Sequence, residues 1–256
     1  MTVTVITVAY NSDATIGETL GSVARQTYSD VECLVIDGAS NDQTVEAAKA
    51  RAPLRTRIIS EPDAGIYDAM NKGFRLASGE IIGFLNADDM FADDRVLSRV
   101  SAAFEDPDIE ACFGDLFYVT ENNRSVVRYW KSRPFEPGYF ARGWSPAHPT
   151  FYIRRSALER LGGFDLSYRL AADTEFMMRY LEKGGVRVAY IPQVQVRMRV
   201  GGATNRSLRT IFRQNQEILR ALKQNAVPYS LISFMLHKLA SRFWQRWAAF
   251  KLKASA

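Results

Sequence analysis

Apolar positions along the first hundred residues alternate between two periods. Residues 3–8 form a compact apolar run that breaks at Asn11-Ser12. Ile16, Leu20 and Val23 then recur at helical spacing between Asp13 and Gln26. The alternation continues as a strand over 31–36, a helix over 42–51, a short strand over 57–59, a helix over 66–76 and a buried strand over 81–85. Strands alternating with helices of this length predict βαβ units and a parallel sheet with right-handed crossovers.

The pattern loosens after residue 105. Residues 109–113, 117–119 and 152–153 read as strands, and 129–149, rich in Pro, Trp and Phe, reads as a loop over a site. Ser156 is the expected cap of a helix through Leu161, which Gly162-Gly163 ends. A helix over 174–183 and a strand over 186–191 closed by Pro192 follow, then helices over 208–224 and 231–252 with a break at Pro228.

Every predicted strand of the first half ends in a polar cluster. These are Thr7-Val8-Ala9-Tyr10-Asn11, Asp37-Gly38-Ala39-Ser40-Asn41-Asp42, Ser60-Glu61-Pro62-Asp63-Ala64-Gly65 and Asn86-Ala87-Asp88-Asp89. In a parallel sheet all four open on one edge, where open α/β sheets bind ligands. Asp37 is a candidate acceptor for a nucleobase N–H, and Asp63 and Asp88 are candidates for ribose hydroxyls or a metal. Oxygen ligands at Asp88 and Asp89 suit a hard cation, Mn2+ or Mg2+. Singly, each cluster also reads as an ordinary capped turn. Neither Gly-x-Gly-x-x-Gly nor a Walker loop follows the first strand, so phosphates bound here need a metal in place of a glycine cradle.

These motifs resemble the family 2 glycosyltransferases, inverting enzymes of GT-A fold, over about residues 1–200. The resemblance rests on Thr7-Val8-Ala9-Tyr10-Asn11, on Gln26-Thr27-Tyr28 before the second strand, and on Ser60 through Gly73. The last stretch resembles a bacterial subgroup of exopolysaccharide and lipopolysaccharide assembly. The implied fold is α/β, a mostly parallel central sheet flanked by helices, with a C-terminal helical extension. The implied domain spans 1–205, with a nucleotide-sugar half over 1–105 and an acceptor half over 106–205; a basic amphipathic tail spans 206–256. Donor contacts are implied for Thr7, Ala9, Tyr10, Asn11, Asp37, Asp63, Asn71, Asn86, Ala87 and Asp88, and metal contacts for Asp88 and Asp89. Asn86 and Gly38 stand where many members carry Asp. After Gly162-Gly163-Phe164-Asp165, Asp173 aligns with the family's general base, and Ala172 replaces the Glu that precedes it. Asp173 also fits a helix cap. His148, Trp144 and Glu175 are the expected acceptor contacts. Arg197, Arg199 and Arg206 read either as a pyrophosphate clamp or as a solvated basic loop.

Charge and composition refine this picture. Hydrophobic residues make up 47% of 256, enough for a large core. Cys33 and Cys112 lie in apolar runs and suggest buried thiols of a reducing compartment. The first residues lack the basic segment of a signal peptide, and no apolar run is long enough to span a membrane. Residues 201–256 hold ten Lys or Arg against the single acid Glu217, so they carry +9 while the whole chain carries +5 and the first 200 residues carry −4. Apolar and aromatic residues interleave with these bases at helical spacing, which suits a helix lying on an anionic membrane surface. The other reading is a helix packed on the catalytic domain or on a second copy of the chain, which leaves a homo-oligomer open. The acidic crevice argues against nucleic acid.

The expectation is a metal-dependent hexosyl or glycosyltransferase, cytoplasmic and peripheral to the inner face of the cytoplasmic membrane. It moves a sugar from a nucleotide-sugar donor to a lipid-linked or oligosaccharide acceptor. The alternatives are a nucleotide-sugar or glycan-binding module without turnover, and a nucleotidyltransferase. The acidic Tyr10-Asn11-Ser12-Asp13 turn argues against the last.

Overall fold

The computed structural model describes residues 1–123, 125–200 and 208–254. Its opening elements follow the expected order: β1 (Val3–Ala9), α1 (Asp13–Ala24), β2 (Val31–Asp37), α2 (Thr44–Arg51), β3 (Thr56–Ser60), α3 (Ile66–Leu76) and β4 (Ile81–Phe84). β1 pairs in parallel with β2 and β4, and β2 with β3. The four C-terminal ends therefore share one edge.

The second half adds β5 (Met90–Phe91), α4 (Val96–Ala103), β6 (Ala111–Val119), β7 (Val126–Trp130), β8 (Tyr152–Arg154), α5 (Arg155–Leu161), α6 (Ala172–Met178), β9 (Val188–Arg199), α7 (Leu208–Gln224) and α8 (Leu231–Ala254). All strands join one mixed sheet of order β3-β2-β1-β4-β8-β6-β9-β5, with β7 on β6. β8 runs antiparallel to β4 and β6, while β6 and β9 are parallel.

Alternation along the strands builds a core on each face. Ile6, Val8, Leu34, Ile36, Ile82 and Phe84 face α3 and α6. Val3, Val5, Cys33, Val35 and Ile81 face Ile16 and Leu20 of α1 and Val96 and Val100 of α4. Both cysteines are free and buried. Burial pushes the Cys33 thiol up to about 12, so it stays protonated and inert.

Several expectations change here. The two strands expected over 109–119 are one, β6. The strand expected to stop at Pro192 continues to Arg199, because the β6–β9 register shifts between Gly114↔Ile191 and Asp115↔Val194. The bulge leaves Pro192 and Gln193 outside the ladder, so the missing proline N–H costs no hydrogen bond. Arg154, not Ser156, occupies the cap position of α5. Residues 206–256, expected as a basic amphipathic tail, form two helices over the described positions. Ile218, Ala221 and Leu222 of α7 and Phe234 of α8 belong to the same core as Phe140 and Phe176.

Candidate active site

The loops after β1 and β2 are joined by hydrogen bonds at the shared edge. Asn11, in the left-handed region at φ 47°, donates its peptide N–H to Ser40 Oγ at 2.8 Å. Its own Oδ1 accepts from Asn41 N at 3.0 Å. Asp37 is fully buried, and its carboxylate accepts from Ser40 N at 3.0 Å and Ser60 Oγ at 2.6 Å. Both Asp37 oxygens are thus engaged within the loop, since Ser40 Oγ also donates to Oδ1. Asp63 is the more accessible carboxylate of this corner. A Cβ on residue 38 would lie 2.6 Å from Asp63 Oδ2 and 3.4 Å from the Tyr10 ring, so Gly38 makes room for a side-chain carboxylate arriving from the β3–α3 loop. The Tyr10 ring is exposed beside it.

Asn71 departs from its expected role. Its Nδ2 donates to Phe164 O at 2.9 Å, and its Oδ1 accepts from Phe164 N at 2.8 Å. Both ends of the amide are used to fasten α3 to the 162–164 turn.

Beyond β4 the ladder continues through Leu85 N to Ile6 O at 3.0 Å and Ala87 N to Val8 O at 3.2 Å. Asp88 is partly exposed, whereas Asp89 is fully buried. Asn86 Oδ1, both carboxylate oxygens of Asp89 and Thr7 Oγ1 are buried without a hydrogen-bond partner of normal geometry. Burial pushes the Asp89 carboxyl well above the usual carboxylate range, and the Asp88 charge adds to the shift. Burial raises Asp88 as well, partly offset by Arg199. The donor set is all oxygen, which fits a hard divalent cation. Among the described residues no group of three or more His, Cys, Asp or Glu that could hold a metal ion comes together.

Arg199, expected in a clamp or a solvated loop, is buried. It donates to Asp88 O at 2.8 Å and Glu121 O at 2.9 Å, and pairs with Glu18. It therefore fixes the backbone of the Asp88 turn. Arg197 is held by Asn123 at 2.8 and 3.0 Å. Arg206 lies outside the described residues.

On the other half, α6 carries Asp173 in its first turn, and the cap position belongs to Ala171, which makes no side-chain cap. Asp173 Oδ1 accepts from Thr174 N at 2.8 Å and from the Tyr67 hydroxyl at 3.3 Å. Oδ2 accepts no hydrogen bond among the described residues. Burial, with the Asp173 charge, pushes the Tyr67 hydroxyl far up, so it remains a donor.

Asp173 borders a cavity of about 200 Å³. Its walls are Tyr118, Trp130, Phe140, Trp144 and Met177, with Gln214 and Ile218 of α7 and Phe234, Lys238, Ser241 and Gln245 of α8. Trp144 lines this cavity, and its indole N–H is buried without an acceptor among the described residues. His148 does not line this cavity. It is buried, with its ring 5.4 Å from Phe84 and 5.6 Å from Phe164. Burial holds its imidazole below the ordinary value, and Asp173 pulls the other way. Glu175, expected to meet the acceptor, is buried against Arg179 at 3.1 Å and Asn225 Nδ2 at 3.4 Å. That ion pair takes it out of the cavity.

Tyr67 and the structural role of Arg199 were not foreseen. Tyr67 lies within the Ser60–Gly73 motif, which flagged the stretch without saying which side chain crosses to Asp173.

The pattern of glycosyl transferase family 2 matches residues 4–162. The PGL/p-HBAD biosynthesis glycosyltransferase of Mycobacterium bovis is 32% identical over 185 residues, 71% of this chain and 70% of that protein. An uncharacterized glycosyltransferase of Mycobacterium tuberculosis is 33% identical over 181 residues, 70% and 68% of the two chains. Among solved structures, S. aureus TarS 1-349 in complex with UDP-GlcNAc has a TM-score of 0.67 at 21% identity, covering 89% of this chain and 66% of that one. The mannosyltransferase PcManGT from Pyrobaculum calidifontis, in complex with GDP-Man and Mn2+, has a TM-score of 0.61 at 22% identity, covering 99% and 75%. The chain belongs to glycosyl transferase family 2, and its fold is GT-A-like.

Proposed function

We propose that this glycosyltransferase moves a sugar from a nucleoside-diphosphate donor at the β1–β4 edge to an acceptor hydroxyl in the cavity beside Asp173, with inversion. The observation that carries this reading is the state of Asp173: Oδ1 is held by Thr174 and Tyr67, while Oδ2 accepts no hydrogen bond among the described residues and Asp173 borders the cavity. In the reaction, the acceptor hydroxyl gives its proton to Oδ2 as its oxygen bonds to the anomeric carbon. The bond from that carbon to the diphosphate oxygen breaks, and the electron pair leaves with the nucleoside diphosphate. The Tyr67 hydroxyl and the Thr174 N–H keep the carboxylate oriented.

The donor is the solvent-facing partner of Tyr10, Asn11 and Asp63, with Thr7, Ala9, Asp37, Asn86 and Ala87 shaping the edge beneath it. Asp88, assisted by Asn86 and Asp89, would hold Mn2+ or Mg2+. A bound cation supplies positive charge to the leaving diphosphate. Asp89 joins only once the 86–89 turn opens, because its oxygens are closed to solvent. The ligands of the two solved GT-A neighbours, UDP-GlcNAc in one and GDP-Man with Mn2+ in the other, support this donor class.

The acceptor is lipid-linked or a growing cell-surface saccharide, and the enzyme works at the inner face of the cytoplasmic membrane. Support comes from α8. Its inner side walls the cavity, and its outer side exposes Ile232, Leu236, Leu239 and Phe250 within a strongly basic segment. Among the described residues no helix is long and apolar enough to cross a membrane, so this contact is with the surface.

Asp173→Asn tests the central step. Transfer falls by about 10²–10⁴-fold while the donor still binds in calorimetry; unchanged turnover would falsify the base assignment.

A further inference from the structure

The one acid of the C-terminal segment is half-buried and engaged with the chain ahead of α6. Glu217, on α7, accepts three consecutive peptide N–H groups: Arg169 N at 3.2 Å on Oε1, and Leu170 N at 2.8 Å and Ala171 N at 2.9 Å on Oε2. These are the three residues that feed α6. The sequence offers that helix no cap of its own, since Ala171 occupies the cap position and has no side-chain acceptor. A carboxylate at this place satisfies donors that would otherwise need water and complements the positive end of the helix.

The same face of α7 grips the rest of the loop. Arg220 donates to Ser167 O at 3.0 Å and stacks its guanidinium 3.7 Å from the Tyr168 ring centre. The Tyr168 hydroxyl donates to Gln224, and Gln214 Nε2 reaches Leu170 O at 3.4 Å. Positions 214, 217, 220 and 224 fall on one side of a helix. Asp173 follows two residues after the last pinned amide.

We propose that Glu217 is a positioning residue for Asp173: α7 reaches back across the fold and pins the three amides that lead into α6, setting the place and angle of the Asp173 carboxylate. This rests on the reading of Asp173 as the base. Hydrogen bonds to a charged acceptor are stronger and shorter than neutral ones, and three of them on consecutive amides leave the loop little freedom to slide. Small errors in the placing of a proton acceptor are costly, about 10²-fold for an ångström.

Two measurements on the full chain test the proposal. In Glu217→Ala, hydrogen exchange at the Leu170 and Ala171 amides is expected to quicken by roughly tenfold or more. Nucleoside diphosphate release is followed with whichever UDP, GDP or dTDP sugar supports turnover. With it, kcat falls by about 10- to 100-fold while the donor KM stays within about twofold. Glu217→Gln keeps one carbonyl acceptor and loses less on both readouts, which covers the case in which the alanine variant folds poorly. Added to Asp173→Asn, Glu217→Ala causes no further loss, because it acts through that carboxylate. Unchanged amide exchange, an unchanged kcat beside an inactive Asp173→Asn, or fully additive losses each overturn the positioning role. An active Asp173→Asn instead removes the base assignment beneath it.

Discussion

At the scale of single residues, burial divides the two neighbouring acids of the 86–89 turn. Asp89 is sealed, its carboxylate has no hydrogen-bond partner of normal geometry among the described residues, and it holds its proton well above the usual range. Asp88 keeps access to solvent, and Arg199 grips its carbonyl at 2.8 Å without covering its carboxylate. Under the proposed function, a cation arriving with the donor would meet Asp88 first. Asp88→Ala is expected to abolish the Mn2+-dependent part of donor affinity, at least about tenfold, with little change in fold. Calorimetry with and without Mn2+ reads this directly, and equal metal dependence in the variant would assign the cation elsewhere. Sequence spacing identified the turn but not this division, since neighbouring residues share a motif while facing different surroundings. The same holds for Asn71 and Glu175. Their residue types suit sugar or donor contact, yet Phe164 takes one amide and Arg179 the other carboxylate.

At the scale of elements, the regular half was legible and the irregular half only in part. Each strand from β1 to β4 is bounded by a helix or a polar turn, so local pattern suffices. β5 is two residues long and exists because Arg197 and Val196 of β9 pair with Met90 and Phe91. α4 was not expected at all, although Val96, Leu97 and Val100 bury one face of it. Beside the bulge by which β9 passes Pro192, β6 offers Gly114, where a Cβ would sit 2.5 Å from Gln195 Cγ. A stricter close approach lies in the middle of β4. A Cβ on Gly83 would fall 2.3 Å from the buried Tyr152 ring on β8. Tyr152 cannot swing into solvent, so Gly83→Ala must displace one strand from the other. The expected cost is about 1–3 kcal/mol, measured as a lower urea midpoint at unchanged slope; a midpoint equal to wild type would mean that β8 yields freely.

At the scale of the whole molecule, the C-terminal helices complete the catalytic body. α8 walls the cavity with Phe234, Lys238, Ser241 and Gln245, spaced along one side of the helix. Arg128 of β7 joins Gln245 at 2.5 Å, and Lys238 joins Asn215 of α7 at the same distance. The opposite side bears the exposed apolar residues. Removing residues 228–256 leaves α7 and Glu217 in place but takes the wall and the outer surface together. The shortened protein is expected to keep donor binding, lose acceptor turnover and no longer co-sediment with phosphatidylglycerol vesicles; undiminished co-sedimentation would end the membrane reading. The sequence by itself determined the βαβ half, the shared edge of acidic turns, Asp173 as a candidate base and the basic, amphipathic character of the tail. Each of these is written in a local period or a contiguous motif. Only the tertiary structure decided that Asp63 fills the space over Gly38, that Tyr67 meets Asp173, and that Glu217 pins the amides leading into α6. Such contacts join residues 25, 106 and 46 to 48 positions apart in the chain, and no local pattern encodes which distant surfaces the packing of the sheet brings together.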